Sequence, residues 1–189
     1  MTNAKMPEGS FAPLLNTRDV MGNNINLNNY RGKRVLLSFY RYVTCPLCNL
    51  RVAHFMKEYP KYADDLEVIA VFESSAEYIR EYIGPKGLPF PIIADPDGEL
   101  FREFGVEKSW LKSFLGMFRM PTMFRAMRAN KFRTGMGDGT PNRVPADFLI
   151  DRNGIFYACH YGSDITDHIP MQVIEEFINP EIAHARQAT

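Results

Sequence analysis

The sequence has no long apolar run. Nowhere in its 189 residues does an uncharged stretch approach the roughly 18 apolar residues that a membrane span requires. The start, Met1-Thr2-Asn3-Ala4-Lys5-Met6-Pro7, has no apolar core of the kind a secretory signal carries. A surplus of one charge is missing too. Its 22 Lys and Arg balance 22 Asp and Glu, which excludes a global pull toward nucleic acid or an anionic membrane. Cysteine is scarce, and three of them cannot form a disulfide framework. A reducing, cytoplasmic setting is therefore expected. Repeats and low-complexity segments are also lacking. The length suits one domain, residues 1–189, with enough bulk for a real core.

Two of the cysteines lie in the stretch around which the chain is organised, Val35–Tyr59. Val35–Tyr40 is apolar and β-branched at its start, and reads as a buried strand. A turn follows, then Cys45-Pro46-Leu47-Cys48, then a helix. Thr44 or Cys45 can cap that helix, and Pro46 suits its first turn, where a missing N–H costs nothing. Val52, Phe55, Met56 and Tyr59 form its buried stripe, which Cys48 joins. Cys45 is expected one turn earlier, at an exposed helix mouth. Helix N-terminal amides stabilise an anion there and lower a thiol's pKa. The second thiol can then close a disulfide and release what the first has attacked. Strand, turn, C-x-x-C and helix together read as a thioredoxin-like redox site. Structural zinc is the competing use of such a pair. It wants four Cys or His ligands, and only Cys159 and His160 could complete the set. Neighbours on a strand point to opposite faces, so neither metal nor cofactor is expected. Cys159 reads as a core residue.

The remaining segments follow in β/α alternation. Asp19–Asn24 reads as a turn centred on Gly22-Asn23-Asn24, and Ile25 and Leu27 as a short edge strand. Leu66–Phe72 is a second apolar strand. Ser75 caps a helix through Ile83, which Gly84-Pro85 stops. Pro89–Ala94 is a strand whose prolines keep it from the centre of a sheet. Asp95-Pro96-Asp97-Gly98 turns into a helix near Glu99–Phe104. Phe148–Ile150 and Ile155–His160 flank a hairpin turn, and a last helix covers Met171–Ile178. This order predicts an α/β fold: a three-layer sandwich with a mixed sheet and helices on both faces. His54 falls on the polar stripe of its helix. Glu73, at a strand end, reads as a solvated loop acid, with proton acceptor for the buried thiol as the other use.

Residues 108–143 break the alternation. Lys108, Lys112, Arg119, Arg125, Arg128, Lys131, Arg133 and Arg143 face a single acid, Asp138, and the segment holds half of the ten methionines. Two short helices, about Trp110–Phe118 and Pro121–Lys131, and a Gly-rich loop at 134–140 are expected. The insert reads as a helical flap on the domain. Its sharper reading is an adaptable surface for a protein partner or a second copy of the chain in a homo-oligomer.

Several stretches resemble one family, the peroxiredoxins of the alkyl hydroperoxide reductase/thiol-specific antioxidant type. They are Phe11-Ala12-Pro13, Leu27, Arg31-Gly32-Lys33, Phe90–Gly105 and Phe148–Gly154. The resemblance implies a thioredoxin fold and thiol redox chemistry. The substrate would be a hydroperoxide or a protein disulfide, and the reductant a thioredoxin-type or low-molecular-weight thiol. The family's motif places a Pro and a Thr or Ser ahead of its reactive Cys. Laid on it without gaps, Cys48 takes the reactive place, Cys45 the Thr place and Arg41 the Pro place. The family's Arg before the later strand is replaced by Val144-Pro145-Ala146-Asp147, with Arg143 slightly upstream. The C-x-x-C with Pro145 looks more like a peroxiredoxin-like subgroup carrying a thioredoxin-type pair, in which Val144-Pro145 would be cis. Thioredoxins proper bury an acid where this chain has Ser38, so that proton relay is missing or relocated. The catalytic expectation is a Cys45/Cys48 dithiol–disulfide cycle supported by Thr44 and Pro145. Helix position elects Cys45 as nucleophile, while the gapless alignment elects Cys48. The reading from a different class is a thioredoxin-fold binding module that works through the insert, without turnover.

Overall fold

The computed structural model describes residues 4–83, 89–117 and 137–181. The elements are β1 (Asn16–Arg18), β2 (Asn24–Asn26), β3 (Arg34–Tyr40), α1 (Pro46–Glu58), β4 (Leu66–Phe72), α2 (Ala76–Ile83) and β5 (Ile92–Ala94). After them come α3 (Glu99–Glu103), α4 (Trp110–Met117), β6 (Ala146–Ile150), β7 (Phe156–Tyr161) and α5 (Met171–Ile178). Five strands form one mixed sheet in the order β5-β4-β3-β6-β7. β3 pairs parallel with β4 and antiparallel with β6, so the strand that leads into Cys45 is central. β5 is short and lies at the edge, where the prolines before it lose no ladder hydrogen bond.

Alternation along β3 separates two cores. Leu36 and Tyr40 pack with Val52 and Phe55 of α1, Ile79 of α2 and Ile174 and Phe177 of α5. Val35, Leu37 and Phe39 point the other way, toward Phe101 of α3 and Phe104. Helices thus cover both faces, as the apolar patterning predicts. The N-terminal region differs from its expected form. β2 pairs with β1 in a separate two-stranded sheet, and Leu27 begins a 3-10 turn instead of continuing a strand. The cause is local: the Asn26 side chain accepts from the Asn28 amide at 2.9 Å and bends the chain.

The insert leaves and re-enters the fold at one place. Lys108 and Arg143 form a β-bridge, and the Ser109 amide donates to the Asn142 carbonyl at 2.8 Å. α4 matches the first expected helix to within one residue. It rests on the domain through Ser113 and Gly116, where a Cβ would lie 2.3 Å from Ile165 Cγ1. Trp110, Leu111, Phe114 and Leu115 are exposed. The expected helix Pro121–Lys131 and the first part of the Gly-rich loop lie outside the described residues.

Candidate active site

β3 ends one residue before Arg41, and the 41–45 turn carries the chain to Cys45, which occupies the N-cap position of α1. The Cys45 sulfur faces the amides at the head of this helix. Its amide donates to the Tyr42 carbonyl at 2.9 Å, and its carbonyl accepts from the Asn49 amide at 3.0 Å. Pro46 fills the first helical turn as expected. Thr44 is buried immediately before the pair. Cys45 and Cys48 are both free thiols and approach to 3.2 Å. That is well beyond a disulfide bond of about 2.05 Å, and close enough for one thiol to donate to the other.

The two thiols are driven apart in acidity. Burial pushes Cys45 up. The hydrogen bond from the Cys48 thiol, the charge of Arg41 and the amides of Cys48 and Leu47 outweigh burial and bring it down to about 6. Cys48 is raised well above the usual thiol value, first by burial and then by its hydrogen bond to Cys45 and by the charge of Cys45. This is the polarity that helix position predicts. One expectation fails, however. Cys45 is not at an exposed mouth: it is 0% exposed and Cys48 is 1% exposed. The whole turn sinks into the fold, with Arg41, Val43 and Thr44 also buried. A distant segment backs onto it: at Gly137 a Cβ would lie 2.2 Å from the Tyr42 ring, and at Gly139 one would lie 2.0 Å from the Glu73 carbonyl. Gly139→Ala should therefore displace this turn and cost about 1–3 kcal/mol, as overpacking does. A lowered denaturation midpoint would show it.

Two arginines lie behind the turn, and they are used differently. Arg143 is 3% exposed and fully engaged. Its Nε and Nη2 donate to the Glu73 carboxylate at 3.2 and 2.7 Å, its Nη1 donates to the Val106 carbonyl at 3.0 Å, and its guanidinium stacks on Phe101. Glu73 is thus neither a solvated loop acid nor a free proton acceptor. It is buried, and Thr140 Oγ1 and Lys108 also reach it, at 2.7 and 3.2 Å. Burial would raise its pKa, but Arg143, Thr140 and Lys108 together hold it below the ordinary value. Part of the insert's positive charge is therefore structural. Arg41 is also buried, and its Nη2 donates to the Pro141 carbonyl at 2.5 Å. Its Nε has no partner among the described residues.

Beneath the site lies a polar cluster that the sequence did not reveal. Asp147 of β6 is paired in register with Ser38 of β3, whose hydroxyl donates to its carboxylate. The His168 imidazole and the Ile169 amide complete the set at 2.9 and 2.8 Å. Burial opposes ionisation, but His168, Arg51 and Ser38 hold Asp147 well below the usual carboxylate range. A carboxylate that keeps its charge so firmly is a poor proton acceptor for Cys48. Its visible work is to fasten residues 168–169 to the sheet. The signal was an acid inside an otherwise apolar strand, Ala146–Ile150.

The remaining candidates are quickly placed. Pro145 is buried beside this cluster, but its peptide bond is trans, not cis. Trans is the default for X-Pro, and here the Val144 amide bonds the Glu107 carbonyl while the Pro145 carbonyl accepts from Gly162. His54 is exposed, and His160 pairs with Asp167 at 3.1 Å. Cys159 packs partly buried on the opposite core, and burial pushes it to about 12. Among the described residues no group of three or more His, Cys, Asp or Glu is arranged to hold a metal. Nor is any of their helices long and apolar enough to cross a membrane.

A thioredoxin-fold sandwich with a polarised dithiol at the head of its first long helix defines a thiol-dependent oxidoreductase. The AhpC/TSA family model matches residues 9–158, and the chain belongs to that family. A protein of Mycobacterium tuberculosis, provisionally named a peroxiredoxin, is 29% identical over 169 residues, covering 87% of this chain and 91% of its own. The thiol-disulfide oxidoreductase ResA of Bacillus thuringiensis is 30% identical over 104 residues, covering 54% of this chain and 60% of its own. Among solved structures, a cysteine-to-serine mutant of PrxQ from Xylella fastidiosa superposes with a TM-score of 0.65 at 19% identity, covering 97% of this chain and 99% of its own. The thiol peroxidase of Chromobacterium violaceum gives 0.64 at 12% identity, covering 94% and 89%. At such identities these likenesses speak for the fold alone.

Proposed function

We propose that this chain, as one thioredoxin-like domain over 1–189, reduces hydroperoxides in a reducing cytoplasm, with Cys45 as nucleophile and Cys48 as resolving thiol. The Cys45 thiolate attacks the peroxide, the O–O bond breaks, and Cys45 becomes a sulfenic acid while an alcohol or water leaves. Cys48 then displaces hydroxide as water and closes the disulfide. A thioredoxin-type dithiol or two low-molecular-weight thiols return two electrons and two protons. The observation that carries the reading is the joint burial of both sulfurs around a thiol brought down to about 6. A small oxidant can enter such a site, whereas a protein disulfide must present its sulfur in line to an exposed nucleophile.

Stopped-flow mixing of the reduced protein with hydrogen peroxide, and separately with an insulin-type disulfide, tests the choice. Peroxide should oxidise it faster. The rate should climb as pH rises through about 6 and then level, because only the thiolate reacts. Faster reaction with the disulfide would assign the chain to protein-disulfide reduction.

A further inference from the structure

Among the described residues Arg41 is a buried cation without a counter-charge. It is 6% exposed, and among the described residues no carboxylate lies within ion-pair distance of it. A guanidinium presents five N–H donors in a fixed plane and does not lose its proton in a protein. Burying one unpaired is costly, and buried donors are almost always bonded. Yet among the described residues Nη2 bonds the Pro141 carbonyl while the buried Nε is left bare.

The position of that bare donor is informative. Arg41 begins the turn that ends at Cys45, and its guanidinium lies over the Tyr42 ring at 5.2 Å. Its own amide hydrogen-bonds the Cys48 sulfur, and its charge acts on both thiols. Arg143, by contrast, has a partner at every guanidinium nitrogen, Glu73 at Nε and Nη2 and the Val106 carbonyl at Nη1.

We propose that Arg41 is the oxygen-binding residue of the thiol site, its Nε donating to the hydroperoxide oxygen that Cys45 attacks and afterwards to the same oxygen on the sulfur. This inference rests on the peroxidase reading. In the step, sulfur is oxidised and the peroxide oxygens are reduced. The S–O bond forms as the O–O bond breaks, and the hydroperoxide's own proton passes to the leaving alkoxide. Arg41 keeps its protons throughout. It faces negative charge developing on the transferred oxygen, which a preorganised donor stabilises more than it does the neutral substrate.

The test compares wild type, Arg41→Lys and Arg41→Gln, with circular dichroism to confirm folding. Peroxide oxidation and iodoacetamide alkylation of Cys45 are both followed to alkaline pH, where Cys45 is ionised in every variant. Iodoacetamide delivers no oxygen to be held. Both variants should then alkylate at the wild-type rate but react with peroxide on the order of 100-fold more slowly, the usual loss when one such donor is removed. Lysine keeps the charge and loses the fork, so it stays informative if glutamine prevents folding. Recovery of the wild-type peroxide rate at alkaline pH would reduce Arg41 to a tuner of thiol acidity and overturn the inference while leaving the peroxidase reading intact. A wild type inert to peroxide would overturn both.

Discussion

Replacing Cys45 by Ser should abolish turnover, lowering it by a factor on the order of 10^4 or more, as loss of a covalent nucleophile does. Cys48→Ala should stop the cycle one step later. Its Cys45 should consume one equivalent of peroxide and persist as a sulfenic acid that a dimedone-type probe traps. The two variants should also separate the acidities. Cys48 alone, in Cys45→Ser, should alkylate only at alkaline pH, because burial holds its thiol in the neutral form. Cys45 alone, in Cys48→Ala, should titrate above its native value of about 6, because the donor at 3.2 Å is gone. Ready alkylation of Cys48 near neutral pH would transfer the nucleophile to Cys48, the position that the peroxiredoxin motif itself elects.

Glu73→Ala should be the most destabilising change near the site, by about 3–5 kcal/mol, because it strands a buried Arg143. Replacing both partners with Met should cost far less, since paired apolar groups replace a pair whose desolvation was expensive. Urea midpoints of the two single variants and the double variant measure this. The pH dependence has a definite sign. The folded pKa of Glu73 is depressed, so its contribution is fully present above the unfolded value of about 4.3 and is lost as pH falls through the folded pKa. Wild type should therefore lose stability in acid more steeply than Glu73→Ala.

Local chemistry made much of this molecule readable. The β-branched and aromatic run of β3, the edge position of β5 behind its prolines, the Ser75 cap and the bounds of α5 all follow from nearest-neighbour preferences. So did the C-x-x-C and the polarity of its two thiols. What escaped depends on residues far apart in the chain. The turn that carries Cys45 packs against residues 137–141, a stretch far along the chain, and nothing around Cys45 announces that meeting. Glu73 finds Arg143 across 70 residues, and Asp147 finds Ser38 across 109. Each acid was visible as a residue type, but its partner came from a distant stretch: strand register brings Ser38 to Asp147, and the re-entry of the insert beside Lys108 brings Arg143 to Glu73. Arg41 was visible only as a departure from a motif, since an unsatisfied donor is a property of the folded surroundings. Pro145 was misjudged because the thioredoxin frame was carried over without the contacts that would hold a cis bond.

The bridge between Lys108 and Arg143 joins two points of the chain that would be adjacent whatever lay between them. The free energy of closing a flexible segment grows only logarithmically with its length, about 0.6 kcal/mol for each doubling. The sheet therefore scarcely registers how many residues pass between those points, provided both side chains keep their hold on Glu73. Natural selection can change the length of that excursion at little thermodynamic cost, so long as residues 137–141 keep their packing on the turn that carries the dithiol and on Glu73. The same scaffold can thus present different surfaces while its redox centre stays unchanged.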